Sequence, residues 1–275
     1  MQFSKINGTG NDFIIINNIE EKLPVENFPS LAKKLCTRRM SIGADGLMVV
    51  EKSDVADFKM LFFNSDGSVG EMCGNGARCI CRYGYEKKLA GELQTVETGS
   101  GLITGERLDE RRYKIRMTKP TLVDLARQAE YAGESLSCSY IELGVPGLPH
   151  AVVNIPNLRG YNSAKLFDLG QQLRHSAAFP KGANVNFYDF TGENTIFERT
   201  FERGVEDFTF ACGSGTCAVA LSLYLKGKLS GARMNADMAG GRLEVEIEDK
   251  SGDLTLFLIG NTNLVAEGVV LDEEL

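Results

Sequence analysis

One short motif occurs twice in this sequence, half a chain apart, and each copy carries a thiol: Cys73-Gly74-Asn75-Gly76 and Cys212-Gly213-Ser214-Gly215. The two cysteines are 139 residues apart, and a helix-like stretch follows each motif. The same offset relates residues 43–44 to residues 182–183, and position 101 to position 240. This recurrence predicts a duplicated fold with one thiol at the equivalent position of each half.

A cysteine directly before a glycine-rich helix start has a defined chemistry. The first N–H groups of a helix lack partners within the helix and favour negative charge, so such an end binds a carboxylate and lowers the pKa of a thiol. If the two halves face each other across a cleft, one thiolate and one thiol would lie on opposite faces of a carbon beside that carboxylate. Moving a proton off one face and onto the other would invert the stereocentre.

Other interpretations of these motifs remain open. A single cysteine in a glycine-rich turn is usually part of the packing, and neither copy matches the phosphate-loop pattern. Two copies in register favour a pair of acid and base thiols over these readings. A redox dithiol is the main competitor, because facing thiols can form a disulfide that would block proton transfer.

Short strand signals dominate the elements that must position these thiols. Residues 243–247 alternate apolar with polar side chains, which is typical of a sheet with one buried face, and residues 191–194 read as a hairpin turn. Residues 26–38 and 163–176 carry apolar side chains at helical spacing. The stretch after Cys212 is apolar nearly all round, so we expect that helix to be buried inside its sheet.

These patterns predict an α+β fold of two pseudo-symmetric domains, each a curved sheet wrapped around a central buried helix, with the active site in the cleft between them. We expect the N-terminal domain to comprise residues 1–118 and the C-terminal domain residues 119–262, since Pro120 interrupts the preceding strand. A last strand within residues 263–275 is expected to return to the first domain.

Composition excludes several classes of function. The 275 residues are 43% hydrophobic and 24% charged, which is ordinary for a globular protein, and the net charge of −7 gives no support to nucleic-acid binding. The first residues lack the apolar core of a signal peptide, and the apolar stretch at 218–225 is too short to span a bilayer. We therefore expect a cytoplasmic protein with no membrane partner.

The cysteine count favours thiols over disulfides and metal sites. Seven cysteines without an export signal are most simply read as reduced thiols, and neither cysteine group has paired Cys-x-x-Cys spacing. With only two histidines, His150 and His175, a structural metal is not expected. No lysine site for pyridoxal phosphate stands out, so no cofactor is expected.

At these residues the chain resembles the diaminopimelate epimerase family, and the resemblance covers nearly its whole length. The motifs that carry it are, by residue number, 3–5, 8–13, 42–46, 64–68, 71–78, 149–152, 182–185, 201–206 and 211–216. The resemblance implies epimerisation of LL-2,6-diaminopimelate to meso-diaminopimelate, in lysine and peptidoglycan-precursor biosynthesis, without pyridoxal phosphate.

The resemblance also implies a role for each matching residue. Cys73 and Cys212 would transfer the protons. The reacting carboxylate would be held by Gly74, Asn75, Gly213 and Ser214. The distal amino-acid end of the substrate would be gripped by Asn11, Asn64, Asn184, Glu202 and Arg203, and His150 would support the reacting centre. A guanidinium fork suits a second carboxylate, and the 139-residue offset makes Arg203 the expected equivalent of Asn64.

One position departs from the family pattern and leaves the substrate open. Leu148 occupies a position, directly before Pro149 and His150, at which the family often has an asparagine that helps to hold the distal end. A racemase of the same fold that acts on another amino acid is therefore an alternative. A redox or anion-binding protein without isomerase activity is an alternative from another class. The strand-rich edges allow a homodimer without demanding one.

Overall fold

The computed structural model describes residues 1–70 and 73–271. Glu71 and Met72, from the motif around Cys73, and residues 272–275, the end of the expected terminal strand, lie outside the described residues. By their internal contacts the residues form two compact units. Unit 1 comprises Met1–Ile115 together with the chain from Gly260 onward, and unit 2 comprises Arg116–Ile259.

Strands make up most of the regular structure. In chain order they are β1 (Gln2–Gly8), β2 (Asn11–Asn17), β3 (Gly46–Glu51), β4 (Phe58–Asn64), β5 (Leu93–Thr98), β6 (Gly101–Arg107), β7 (Arg112–Arg116), β8 (Pro120–Tyr131), β9 (Glu134–Leu143), β10 (Leu148–Asn154), β11 (Asn184–Gly192), β12 (Thr195–Glu202), β13 (Asp207–Thr209), β14 (Arg233–Met238), β15 (Gly241–Lys250), β16 (Asp253–Asn261) and β17 (Asn263–Val269). The helices are α1 (Asn18–Glu21), α2 (Phe28–Cys36), α3 (Gly74–Glu86), α4 (Ser163–Arg174) and α5 (Gly213–Leu225), with 3₁₀ turns at Val25–Asn27 and Leu158–Gly160.

The strands of unit 1 follow one another as β17, β1, β2, β3, β4, β5, β6 and β7. The pairs β2–β3 and β4–β5 are parallel, and the other pairs in this series are antiparallel. The last described strand of the chain, β17, thus pairs with the first, and it forms the edge of this series.

Unit 2 repeats the same arrangement. Its strands follow one another as β8, β9, β10, β11, β12, β14 and β15, and the parallel pairs are β10–β11 and β12–β14. The short strand β13 adds antiparallel to β12. Because the succession of parallel and antiparallel pairs is the same in both units, strand register can identify equivalent residues of the two halves.

One helix is central in each unit, as the sequence predicts. In unit 1, α3 contacts β1, β2 and β6, and in unit 2, α5 contacts β9, β10, β11, β14 and β15. Helix α5 is buried from Gly213 to Leu223 except at the half-buried Ser214, which confirms the expectation from its nearly uniform apolar sequence. The opposite faces of the sheets pack against α2 and α4 through apolar side chains. The fold is α+β, as expected.

Local patterns predicted some elements better than others. The structure confirms the helix at 163–176 and the hairpin between β11 and β12, whereas the helical pattern at 26–38 forms a 3₁₀ turn followed by the shorter α2. The pair β8–β9 was not predicted, since β8 is largely exposed and shows little apolar alternation. Within the described residues, no helix is both long and apolar enough to cross a membrane.

Candidate active site

Cys73 is the residue that precedes α3. Its backbone is extended (φ −111°, ψ 129°), as is usual for a helix N-cap, and its carbonyl accepts the first helical hydrogen bond from Ala77 at 2.8 Å. Its Sγ lies 3.6 Å from the side-chain oxygen of Asn11, and the amide of Asn75 lies 3.5 Å from the same oxygen. The structure therefore brings Cys73, Asn75 and Asn11 together at the start of α3.

The side chain of Asn11 is held in one orientation by acidic neighbours. Its Nδ2 donates to Asp45 Oδ2 at 2.5 Å, so its oxygen faces Cys73. Asp45 in turn accepts from Arg38 at 2.9 Å, and Arg38 also pairs with Asp12. Burial alone would raise the pKa of Asp12, but hydrogen bonds from Arg38 and Lys5 outweigh it and hold this pKa below its usual value. Asn11 thus lies beside the thiol on a rigid, charged support.

The amide of Asn75 is also fixed. Its oxygen accepts from the guanidinium of Arg78 at 3.0 Å, and that fully buried guanidinium also donates to Thr9 at 3.0 Å. Asn64 belongs to a different group in unit 1. It ends β4 in a turn where its backbone N–H donates to the Ser68 carbonyl and its side chain donates to the Ser68 hydroxyl, both at 2.9 Å.

Cys212 precedes α5 in the same way. Its backbone is extended (φ −127°, ψ 101°), and its carbonyl accepts from both the N–H and the hydroxyl of Thr216, at 2.9 and 3.0 Å. Its Sγ lies 3.7 Å from the hydroxyl of Ser214. Both motif cysteines therefore occupy the helix starts that the sequence predicts.

The expected lowering of the thiol pKa by the helix end is wrong for Cys212. Burial is the largest influence and raises the pKa of Cys212 well above the usual 9.0. The charges of Glu202 and Glu198 act in the same direction. The Ser214 hydroxyl and the Gly215 N–H oppose them but are outweighed. Cys212 is only 9% exposed, so the loss of hydration of a thiolate decides the direction.

The sheet face beneath the start of α5 is polar. It is formed by buried side chains of three adjacent strands: His150 on β10, Asn184 and Asn186 on β11, and Glu198 and Thr200 on β12. We call these five residues the polar floor. The amide of Asn186 donates to the Ala151 carbonyl at 3.1 Å and accepts from Thr200 at 3.0 Å. Only Gly fits at position 215, because a Cβ there would overlap the Asn186 side-chain oxygen.

His150 is fully buried within this floor. The amide nitrogen of Asn186 lies 3.4 Å from its Nδ1, and its Nε2 has no hydrogen-bond partner among the described residues. Burial, with a smaller effect from Arg203, lowers the pKa of His150 to about 3. The ring is neutral over the whole physiological range, so it is not a proton carrier in this environment.

The residues expected at the distal end are connected in unit 2. The side-chain oxygen of Asn184 accepts from the backbone N–H of Arg203 at 2.8 Å, and the Arg203 guanidinium donates to the Lys181 carbonyl at 3.2 Å. Burial raises the pKa of Glu202, against an opposing hydrogen bond from Thr209. Leu148, the departure from the family pattern, begins β10 and is half-buried opposite Leu143.

Strand register corrects the expected equivalence of Asn64 and Arg203. A Cβ on Gly76 would lie 2.5 Å from Met48, and one on Gly215 would overlap Asn186, so Met48 and Asn186 occupy matching positions. Met48 pairs with Phe62, and Asn186 pairs with Thr200. Two residues further along each strand are Asn64 and Glu202, which makes Glu202 the equivalent of Asn64. Equivalent residues on these strands are one position closer together in sequence than the two cysteines are. The offset between the cysteines therefore assigns Asn64 the wrong partner.

Sequence reasoning named His150 and Asn184 but missed the rest of the polar floor (Asn186, Glu198 and Thr200) and the charged support of Asn11. The signal for the floor is present as alternating polar residues, Asn184 and Asn186 on one strand and Glu198 and Thr200 on the next. Alternation of this kind is normally the mark of a solvent-facing side. Among the described residues, no three His, Cys, Asp or Glu side chains are grouped as metal ligands.

The sequence is similar to known proteins over nearly its whole length. The sequence model of a family described as diaminopimelate epimerase matches residues 3–123 and 145–265. A diaminopimelate epimerase of Aquifex aeolicus is 39% identical, with 100% of this chain and 99% of that protein covered. Those of Caldanaerobacter subterraneus and Archaeoglobus fulgidus are 36% and 35% identical over 98% and 99% of this chain, and over 99% and 97% of their own lengths.

Solved structures share the fold at low sequence identity. A Bacillus anthracis phenazine biosynthesis protein of the PhzF family superposes with a TM-score of 0.73 at 16% identity, covering 99% of both chains. A hydroxyproline epimerase of Agrobacterium vitis, solved with trans-4-hydroxy-L-proline, gives a TM-score of 0.68 at 16% identity, covering 100% of this chain and 93% of that one. The two-unit fold is thus shared with both proteins.

Proposed function

Because the chain belongs to the diaminopimelate epimerase family, we propose that it interconverts LL- and meso-diaminopimelate, with Cys73 and Cys212 as the two proton-transfer groups. The observation that carries the proposal is the matched placement of the two cysteines, each directly before the central helix of its unit. Inversion of one α-carbon requires a base on one face and an acid on the other, and a duplicated cysteine supplies both from one residue type.

The protonation states are part of the proposal. Cys212, whose pKa is raised by burial, is assigned as the thiol that acts in the LL-to-meso direction, and Cys73 as the thiolate. The Cys73 thiolate removes the α-proton, and the Cys212 S–H gives its proton to the opposite face. The reaction leaves Cys73 protonated and Cys212 as the thiolate, so the reverse direction starts from the swapped state.

The substrate carboxylate beside the reacting carbon is held by the two helix starts. Gly74 and Asn75 contribute from α3, and Gly213 and Ser214 contribute from α5, where N–H groups without helical partners stabilise the negative charge that grows in the transition state. The resemblance implies that Asn11 grips the distal end, but Asn11 lies 3.6 Å from the Cys73 sulfur, so in this proposal it orients the reacting end instead.

The distal amino-acid group of the substrate is bound by Asn64, Asn184, Glu202 and Arg203. The guanidinium of Arg203 pairs with the distal carboxylate. Glu202 and Asn64 bind the distal ammonium. The link from Asn184 to the Arg203 backbone supports this grouping. His150 supports the centre as a neutral ring that anchors Asn186.

Isotope exchange tests the mechanism and the substrate together. Fully reduced protein is incubated in heavy water with LL-diaminopimelate and, separately, with a panel of monocarboxylic and diamino amino acids. We expect deuterium at the inverted carbon of meso-diaminopimelate before it appears in the remaining LL substrate, because the acid that delivers the proton is not the base that removed one. Turnover of another amino acid without turnover of diaminopimelate would instead support the alternative racemase, which Leu148 leaves open.

Cysteine variants complete the test. Cys73→Ser and Cys212→Ser should each lose about 10²–10⁴-fold in rate, the usual contribution of a general acid or base. Cys138→Ser is the control, since Cys138 is a buried cysteine of unit 2 outside the proposed site, and its thiol donates to the Arg127 carbonyl at 3.5 Å, a bond that a serine can also make. Absence of any exchange in the reduced wild type would leave the redox or anion-binding alternatives.

A further inference from the structure

Glu198 is a buried carboxyl group of the polar floor that the proposed proton transfers do not use. It is 2% exposed on β12, and its Oε2 has no hydrogen-bond partner within the described parts of the chain. Its Oε1 lies 3.5 Å from the Thr200 hydroxyl, and the Thr216 hydroxyl of α5 is also close enough to affect its ionisation. A buried carboxylate in such surroundings is costly unless donors compensate its charge.

The two hydroxyl groups that could donate to Glu198 also have other acceptors. Each threonine hydroxyl has a single proton. The Thr200 proton goes to Asn186 Oδ1 at 3.0 Å, which is shorter than its 3.5 Å contact with Glu198. The Thr216 proton goes to the Cys212 carbonyl at 3.0 Å. Each hydroxyl thus has another acceptor, and a carboxylate at Glu198 would compete with Asn186 and the Cys212 carbonyl for these two protons.

We propose that Glu198 is a positioning residue for Cys212 that acts in its protonated form. As the neutral acid it leaves the Thr216 proton on the Cys212 carbonyl and the Thr200 proton on Asn186, which keeps the turn before α5 in place. As a carboxylate it withdraws these protons and sets a buried negative charge near Cys212, which opposes thiolate formation there. The consequence for turnover rests on the proposed function, because it requires Cys212 to alternate between thiol and thiolate.

Few other charges reach this region. The titratable groups around Glu198 are Cys212 at the start of α5, Glu202 on the same strand, His150 on β10 and, directly across on β11, Tyr188. Strand β14 brings the buried Ala236 beside Ile196, while its neighbour Asp237 pairs with Arg242 at 2.7 Å. Burial is the first influence on Glu198 and raises its pKa to about 8, so the carboxyl group changes state just above neutral pH.

The pH dependence of Cys212 alkylation tests this role without any turnover. Iodoacetamide modification of the native chain is followed from pH 6 to 10, and mass spectrometry of peptides separates Cys212 from Cys73. In the wild type we expect the Cys212 rate to rise less steeply above pH 8 than a single ionisation allows, since Glu198 then becomes charged. In Glu198→Gln the Cys212 rate at pH 9 should exceed the wild-type rate by ~10-fold, the size expected for removing one nearby partly buried charge. The Cys73 rate should not change.

Two further variants complete the design. Glu248→Gln removes a charge of the same sign at a partly exposed site on β15 and should leave the Cys212 profile unchanged. Glu198→Leu is a neutral replacement of similar volume and should reproduce the shift if the glutamine variant folds poorly. A single-ionisation profile in the wild type, or equal profiles in the wild type and the neutral variants, would overturn the proposal. A shifted profile in a chain without isotope exchange would refute the proposed function alone.

Discussion

The glycines at positions 76 and 215 offer a matched test of what lies beneath the two cysteine turns. They are equivalent residues in the first turns of α3 and α5, and neither has a left-handed backbone. A Cβ on Gly215 would overlap Asn186 Oδ1 and lie 3.2 Å from the Cys212 sulfur, whereas a Cβ on Gly76 would meet the end methyl of Met48 at 2.5 Å. The first obstacle is a hydrogen-bonded amide, and the second is the flexible end of a methionine.

The magnitudes differ accordingly. Alanine gains up to roughly 1 kcal/mol over glycine in a helix, which favours both substitutions. Overpacking costs about 1–3 kcal/mol, and a buried amide that loses its partner costs about another 1–3 kcal/mol. We therefore expect Gly215→Ala to destabilise the protein by about 1–5 kcal/mol, and Gly76→Ala to change its stability by no more than about 1 kcal/mol in either direction, since Met48 can move.

Thermal unfolding and epimerase kinetics measure both effects. A change of 1 kcal/mol shifts Tm by about 2–4 °C in a protein of this size, so Gly215→Ala should lower Tm by about 2–20 °C. Its kcat should fall by about 10–100-fold, because the Cys212 sulfur is displaced along with Asn186. Adding Asn186→Ser to Gly215→Ala, which shortens the obstructing side chain, should restore part of kcat. Equal behaviour of the two alanine variants would refute the reasoning.

Two further predictions concern ionisation and stability. Asp12→Asn should lower Tm at pH 7, because the ion pairs with Arg38 and Lys5 depress the pKa of Asp12 below 3.8. A carboxyl group with a depressed pKa contributes stability that is lost as the pH falls through its folded-state pKa. The Tm difference between Asp12→Asn and the wild type should therefore shrink in acid. Glu198→Gln should be more stable than the wild type at pH 7, because the carboxyl pKa is raised from 4.5 to about 8 and the wild type loses about 1.4 kcal/mol per pH unit between these values. Denaturant unfolding of both proteins from pH 4 to 9 checks the second prediction, and a constant difference across that range would contradict it.

The features that the sequence predicts well are those encoded locally. The two Cys-Gly motifs mark both helix starts, and the apolar run after Cys212 marks a buried helix, because glycine placement and apolar periodicity are properties of neighbouring residues. The direction of the Cys212 pKa could not be predicted in the same way. The helix end is visible in the sequence, but the burial that outweighs it comes from strands 10 to 60 residues away along the chain.

The polar floor is hidden for a related reason. Glu198, Thr200 and Glu202 alternate with larger side chains on β12, which normally indicates a face exposed to solvent. Whether such a face is exposed depends on what packs across it, and here the first turn of α5 lies over it, with Thr216 close to Glu198 and Gly215 against Asn186. Tertiary packing thus buries a strand face that the sequence pattern alone would assign to solvent.

The side chains beneath the two helix starts are apolar in unit 1 and polar in unit 2, and this asymmetry bears on catalysis. By strand register, the positions of His150, Asn186, Glu198 and Thr200 in unit 2 are held in unit 1 by Phe13, Met48, Met60 and Phe62. The two units therefore share the position of the cysteine but differ in the side chains beneath it, which are apolar in unit 1 and polar under Cys212.

On the proposed mechanism, each LL-to-meso turnover ends with Cys212 as the thiolate, the less favourable state for this buried residue. Any free-energy gap between the two protonation states slows the return of the chain to its starting form. An ionised Glu198 would widen that gap, whereas a neutral Glu198 leaves the hydroxyl protons that hold the turn and adds no charge. A polar floor with a protonated acid is thus compatible with a thiol that must ionise in every cycle, and the same floor with a carboxylate is not.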